Sequence, residues 1–277
     1  MDYTAPVDLS GRVAIVTGAS RGIGLAIADA FAQAGAAVCL TARRQAELDE
    51  ARASIARDRV ITFAGSAGDP DGVRSSVATT MEAFGRVDIV VNNAATNPAF
   101  GPLIDVQPSA WSKNFAVNVE GPLWLTQAAW RAWMHEHGGV VLNVTTSGMY
   151  GVAPFLGAYE ASKTTLRYLT KQLAGELAPT VRVNSLSPGT IKTRMSRVLW
   201  EHGEEAVAES TPLGRIGVPA DCGEAALFLC SDKASWVTGM DFVIDGGSMV
   251  GGAAVRRAPG GADSPILQNL HDAANPA

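Results

Sequence analysis

The chain has 277 residues, 47% of them apolar and 18% charged, with a formal net charge of −5. That composition excludes disorder over most of the length, and no apolar run approaches the ~20 residues of a membrane-spanning helix. Lys and Arg are scattered, densest at Arg43-Arg44 and Arg256-Arg257, so no surface tracks a nucleic-acid backbone.

The N-terminus, Met1 to Pro6, has neither a basic region nor an apolar core of a secretion signal, so a cytoplasmic location is expected. The apolar run Val13-Ala14-Ile15-Val16 reads as a strand, Thr17-Gly18-Ala19-Ser20-Arg21-Gly22-Ile23-Gly24 as a glycine turn, and Ile23, Ile27, Phe31 and Ala34 as one face of a helix. Glycines at 18, 22 and 24 let the backbone turn tightly and approach a bulky anion, and the helix start aims unsatisfied N–H groups at it. A diphosphate fits that description.

Further strand-like runs follow at Ala37–Leu40, Val60–Phe63, Val87–Asn92, Val140–Val144, Val181–Leu186 and Phe242–Ile244, separated mostly by segments of helical period. Seven short apolar strands alternating with helices predict an α/β fold. The sheet is doubly wound and parallel, with helices on both faces and right-handed crossovers. Its ligand belongs outside the carboxyl ends of the strands, where Gly18, Asn92, Thr145 and Ser187 fall.

The helix over 121–137 carries Leu123, Trp124, Leu125, Trp130, Trp133 and Met134 on more than one face, which calls for a second covering partner: another copy of the chain, or its own tail. Tyr159 and Lys163 lie four apart at the start of a helix running to about Leu177, which puts both on one face. A phenol ionises near pH ~10, and a neighbouring cation lowers that value, making the group usable as an acid or base near neutrality. Met195, Val198 and Leu199 follow helical spacing within Thr193–Pro212 and can cover an apolar substrate. One domain is expected over residues 1–250, and 251–277 form a Gly/Ala/Pro-rich tail. Cys39, Cys222 and Cys230 lack metal-type spacing and read as reduced packing residues; the four histidines do not cluster, so no metal site is expected.

Five of these features stand in order and register: the glycine turn, Asn92-Asn93-Ala94-Ala95, Asn118 in Val117-Asn118-Val119-Glu120-Gly121, Tyr159 with Lys163, and Ser187-Pro188-Gly189-Thr190-Ile191-Lys192-Thr193. Together they resemble the short-chain dehydrogenase/reductase family over about residues 9–248. The stretches 92–98 and 187–200 are similar to its NADPH-dependent carbonyl/retinal reductase branch.

The resemblance implies four catalytic residues. Tyr159 exchanges the substrate proton. Lys163 holds the nicotinamide ribose and, together with the positive charge of an oxidised nicotinamide, depresses the tyrosine pKa. Asn118 bends its helix and anchors a relay water, and a hydroxyl steadies the substrate oxygen. That hydroxyl is Thr146, where the family normally has serine, with Ser147 as the alternative. Coenzyme contacts are implied at Gly18, Ser20, Arg21, Gly22, Ile23, Gly24, Asn92, Ala94, Tyr159, Lys163, Pro188, Gly189, Ile191 and Thr193, with a substrate lid over about 190–215.

NAD-preferring relatives carry an acid where this chain has Ala42; Arg43 and Arg21 can instead hold a 2′-phosphate, so NADP(H) is expected, with NAD(H) or dual use the alternative. Ser66-Ala67 also departs from the family pattern near the adenine. The expected activity is interconversion of a carbonyl and an alcohol on a small apolar substrate by a homo-oligomer, dimer or tetramer. The alternatives are a 3-oxoacyl-thioester reductase, whose substrate arm would use Lys192, Arg194 and Arg197, and a weakly active NADP-binding sensor or scaffold.

Overall fold

The computed structural model describes residues 5–250, so the expected tail over 251–277 lies outside the described residues. Seven strands form one sheet: β1 (Val13–Thr17), β2 (Ala37–Ala42), β3 (Val60–Ala64), β4 (Ile89–Asn92), β5 (Gly139–Val144), β6 (Val181–Pro188) and β7 (Asp241–Ile244). All pairings are parallel and the order is β3-β2-β1-β4-β5-β6-β7. Each strand coincides with a run expected from the sequence, shifted at its ends by a residue or two. Such displacement arises where backbone pairing continues past the apolar side chains, as in β6, which runs through Ser187 to Pro188.

The helices are α1 (Gly22–Gln33), α2 (Gln45–Ile55), α3 (Pro70–Phe84), α4 (Pro108–Phe115), α5 (Gly121–Ala129), α6 (His135–His137), α7 (Gly157–Leu177), α8 (Glu204–Ser210) and α9 (Pro219–Cys230). Among them, none is long and apolar enough to cross a membrane.

Alternation along the buried strands divides the core in two. Ala14, Val16, Val38, Leu40, Leu142 and Val144 join Ile27, Phe31, Leu48, Ile55, Cys222 and Leu229 on one face; Ile15, Cys39, Val90 and Val141 join Val73, Val77, Leu125, Met134 and Ala174 on the other. All three cysteines are buried and unpaired, and burial lifts the Cys39 thiol to about 11 and those of Cys222 and Cys230 to about 12. They are inert packing groups, as their spacing implied.

Strand order reverses direction at β1, which pairs with β2 on one side and β4 on the other. Loops leaving the carboxyl ends of these two strands diverge and open a crevice there. Two sets of hydrogen bonds fix its floor. The Thr17 hydroxyl accepts from Asn93 N and Ala94 N at 3.0 Å each, and Asn93 Nδ2 donates to the Thr17 carbonyl at 2.8 Å.

Candidate active site

The crevice is a cleft of about 610 Å³. Its walls include Gly18, Ser20, Arg21, Gly22 and Ile23 from the glycine turn, Arg43 after β2, Ala94 after β4, and Thr193 after β6. These expected coenzyme contacts, far apart in the chain, meet in one place.

The glycines do separable work. Gly18 and Gly22 have φ of +64° and +59°, where a side chain is strained, and a Cβ on Gly18 would stand 2.9 Å from Ala94 Cα. Gly24 is buried, and a Cβ there would collide with Asn93 Nδ2 and the Gly18 carbonyl, so it serves the packing of turn against helix. No side chain caps the start of α1, whose first N–H groups face the turn. A backbone cradle, an uncapped helix start and nearby guanidiniums suit the diphosphate of a dinucleotide.

Other expected contacts lie off the cleft wall. Asn92 is 2% exposed, with its amide donating to Asn143 Oδ1 at 2.8 Å across to β5. Pro188 ends β6, Gly189 N–H donates to the Ile244 carbonyl at 3.1 Å, and Ile191 is buried in a bridge with Gly217. The Asn92 and Ile191 side chains are committed to packing at the strand ends, which leaves backbone groups of this set as the route to a ligand.

A hydrogen-bonded chain leads from the cleft to α7. Thr96, on the cleft wall, exchanges two bonds with Asn118: its N–H donates to Asn118 Oδ1 at 2.9 Å, and its carbonyl accepts from Nδ2 at 3.0 Å. Asn118 Nδ2 also donates to Ser162 Oγ at 2.9 Å, and Ser162 Oγ donates to the Tyr159 carbonyl at 2.6 Å. Asn118 is fully buried at the centre of a π turn, Ala116–Glu120, which joins α4 to α5. The helix is therefore locally widened at the asparagine.

Tyr159 and Lys163 share one face of α7, with Nζ 5.7 Å from the phenol ring centroid. The ammonium is 1% exposed and donates to the Val144 carbonyl at the end of β5, at 2.7 Å. Burial pulls the Lys163 pKa down to about 7. It pushes the Tyr159 phenol well above its ordinary value, with a smaller contribution from the adjacent Glu160 carboxylate.

The expected acidification draws on the neighbouring cation together with the positive charge of an oxidised nicotinamide; without the coenzyme, burial sets the direction of the shift. The partly buried Tyr159 makes no side-chain hydrogen bond among the described residues, and the ammonium's charge is itself disfavoured by burial. Lysine alone does not make this tyrosine acidic; a ligand must add charge or hydrogen bonds to do so.

Thr146 precedes a short 3-10 turn, Ser147–Tyr150, and its hydroxyl accepts from Gly148 N at 3.3 Å. It is partly exposed, whereas Ser147 is buried. The turn is tied down by Tyr150, whose hydroxyl donates to Asp241 Oδ2 at 2.5 Å; Asp241 also accepts from Ser187 Oγ at 2.8 Å. Phe155, at φ +66°, stands 5.9 Å from Phe100 between ring centroids, and Gly101 N–H donates to its carbonyl at 3.0 Å. Val152, Phe155, Phe100 and Ile104 are exposed near these loops, and so are Met195, Val198 and Leu199 after β6.

Sequence reasoning missed several cleft residues: Arg44, Glu47, Lys113 and Val117 line the wall beside those expected. Arg44 and Glu47 form an ion pair three residues apart in the first turn of α2, a spacing legible in Arg44-Gln45-Ala46-Glu47. Nothing in the sequence tied that pair to Arg21, which also bonds Glu47 at 2.9 Å.

A family model described as Enoyl-(Acyl carrier protein) reductase matches residues 18–249. The Dehydrogenase/reductase SDR family member 4 of Caenorhabditis elegans is 41% identical over 246 residues, covering 86% of this chain and 95% of that protein. A short-chain dehydrogenase/reductase structure from Brucella melitensis superposes with TM-score 0.84 at 32% identity, covering 88% of this chain and 99% of the other. A gluconate 5-dehydrogenase from Burkholderia cenocepacia, solved in complex with NADP and tartrate, gives TM-score 0.81 at 28% identity over 88% and 97% of the two chains.

Proposed function

This chain belongs to the short-chain dehydrogenase/reductase family and is an oxidoreductase, and on that premise we propose that it uses NADP(H) to interconvert a carbonyl and an alcohol on a small, largely apolar substrate. The observation that carries this reading is the Tyr159/Lys163 pair on one face of α7, linked through Ser162 and Asn118 to the wall of the cleft. The coenzyme, when bound, supplies or accepts the hydride.

Tyr159 then gives its phenolic proton to the substrate oxygen in reduction, or removes it in oxidation. Lys163 would hold the sugar of the coenzyme and, with the coenzyme's own charge, would assist ionisation of the phenol. Asn118 keeps the π turn open and holds a water that carries protons to solvent. Thr146 retains an O–H free to donate, since its oxygen accepts from Gly148, and it steadies the substrate oxygen. Arg21 and Arg43, with Ala42 in place of a carboxylate, support a preference for the 2′-phosphate coenzyme. The apolar side chains of 193–200 form the lid, and the partly exposed Trp124 and Trp130 of the long helical stretch favour a homo-oligomer.

A thioester substrate is less well served. Lys192 and Arg197 are already paired with Glu204 and Glu201, which leaves Arg194 as the cation of that trio without an ion pair among the described residues. The test follows NADPH absorbance with ketones, aldehydes and an acetoacetyl thioester. Tyr159→Phe is expected to lower kcat with the best substrate at least ~100-fold at unchanged NADPH affinity. Near-full turnover of that variant would refute the proton donor, and tight NADPH binding with no oxidation on any substrate would favour a sensor.

A further inference from the structure

Glu47 stands among three arginines at the edge of the cleft. Its Oε1 accepts from Arg21 Nη1 at 2.9 Å and from Arg44 Nη2, and its Oε2 lies 3.4 Å from Ser20 Oγ of the glycine turn. Arg43, on the same wall, has no ion pair among the described residues. The two guanidiniums hold the Glu47 carboxyl below its usual range, Arg44 contributing most, so it is a carboxylate at neutral pH.

This is the donor set a phosphate monoester requires: paired guanidiniums and a hydroxyl converging on one small anion. A carboxylate already occupies it. We propose that Glu47 is an internal competitor for the 2′-phosphate of the coenzyme, and that its carboxylate sets the affinity and selectivity for NADP(H) by holding Arg21 and Arg44 until the phosphate displaces it. The inference rests on the NADP(H) reading and goes beyond it, since arginines alone would make the subsite purely attractive.

Two effects add. The incoming dianion must take two guanidiniums from a partner that already satisfies them, and the released carboxylate then stands beside the phosphate as a like charge. Neither effect reaches a nucleotide that lacks the 2′-phosphate. Glu47 therefore narrows the margin between NADP(H) and NAD(H), and it supplies a ready partner for both arginines when the coenzyme leaves.

The test is calorimetric titration of the full chain with adenosine 2′,5′-bisphosphate and with ADP, neither of which turns over. Glu47→Gln keeps the shape and hydrogen-bonding reach of a partly exposed side chain while removing its charge. The variant is expected to bind the bisphosphate about three- to tenfold more tightly, the range implied by the loss of two exposed ion pairs, with the ADP affinity moving less than twofold. The gain should shrink as salt is raised.

Unchanged or weaker bisphosphate binding in Glu47→Gln would overturn the proposal, weaker binding meaning that the carboxylate organises the arginines instead. Equal affinities of Glu47→Gln for the bisphosphate and for 5′-AMP, which differ only in the 2′-phosphate, would overturn the NADP(H) reading itself, and the competitor role with it.

Discussion

Lys163 is the residue whose surroundings conflict most with its charge. It is 1% exposed, its Nζ donates to a single strand-end carbonyl, and its pKa falls from 10.5 to about 7. The unfolded chain holds that proton up to pH ~10.4, so between about 7 and 10 the unfolded state binds more protons than the folded one, and stability rises with pH. Tyr159 acts in the opposite sense only above the ordinary phenol value, because its folded pKa is raised. The difference in unfolding free energy between wild type and Lys163→Met, taken from urea denaturation without coenzyme, should therefore shift in favour of the wild type from pH 7 to pH 9. The slope is at most ~1.4 kcal/mol per pH unit. A difference flat across that range would mean that the lysine stays charged in the folded state. The sequence placed Tyr159 and Lys163 on one face because a four-residue spacing fixes that geometry. Spacing carries no information on the burial that raises the phenol in the absence of coenzyme.

Among the elements, the helical stretch over 108–137 shows where periodicity stops being informative. Apolar spacing identifies its 121–137 portion as helix, and Leu125 and Met134 do enter the core. Neither of its two π turns, Ala116–Glu120 and Trp130–Met134, can be read from that pattern, since each adds about one residue to a turn without changing composition. The first is the one that matters for the site. It carries Asn118, and it is followed by Gly121, where a Cβ would collide with the Ala67 carbonyl. That close approach seats the 65–68 loop, whose Gly65, Ser66 and Ala67 line the cleft, against the helix. Gly121→Ala should therefore cost about 2–3 kcal/mol of unfolding free energy by overpacking, and should also weaken binding of ADP, which reports the adenosine half of the cleft. A variant as stable as the wild type, with unaltered ADP affinity, would show that the loop gives way without consequence. Glu160 was passed over for a similar reason. In the sequence it is an ordinary first-turn acid, yet it is 8% exposed, accepts from the Ala153 N–H, and has its pKa raised by burial.

For the whole molecule, the parallel sheet covered on both faces was implied by the alternation of short apolar runs with helices, because strands covered on both faces must be apolar at nearly every position, whereas the strand order was not. The place of the crevice followed from the same rule, as β1 is flanked by β2 and β4. What remained hidden were contacts between side chains brought together only by that topology, such as Arg21 with Glu47 and Tyr150 with Asp241. The cleft draws its walls from loops after β1, β2, β3, β4 and β6, on both sides of the point where strand order reverses. A ligand held there touches both halves of the sheet, so its binding free energy is expected to stabilise the molecule as one cooperative unit rather than one half of it. At a concentration ~100 times its dissociation constant, NADPH should add ~2.7 kcal/mol, and for a chain of this size that raises Tm by about 5–10 °C. The shift should be the same when followed by far-ultraviolet circular dichroism and by tryptophan fluorescence, which samples Trp111, Trp124, Trp130, Trp133, Trp200 and Trp236. NADH at the same concentration should give a smaller shift. Equal shifts would remove the case for a 2′-phosphate subsite, and a shift seen by one probe alone would mean that the two halves unfold separately.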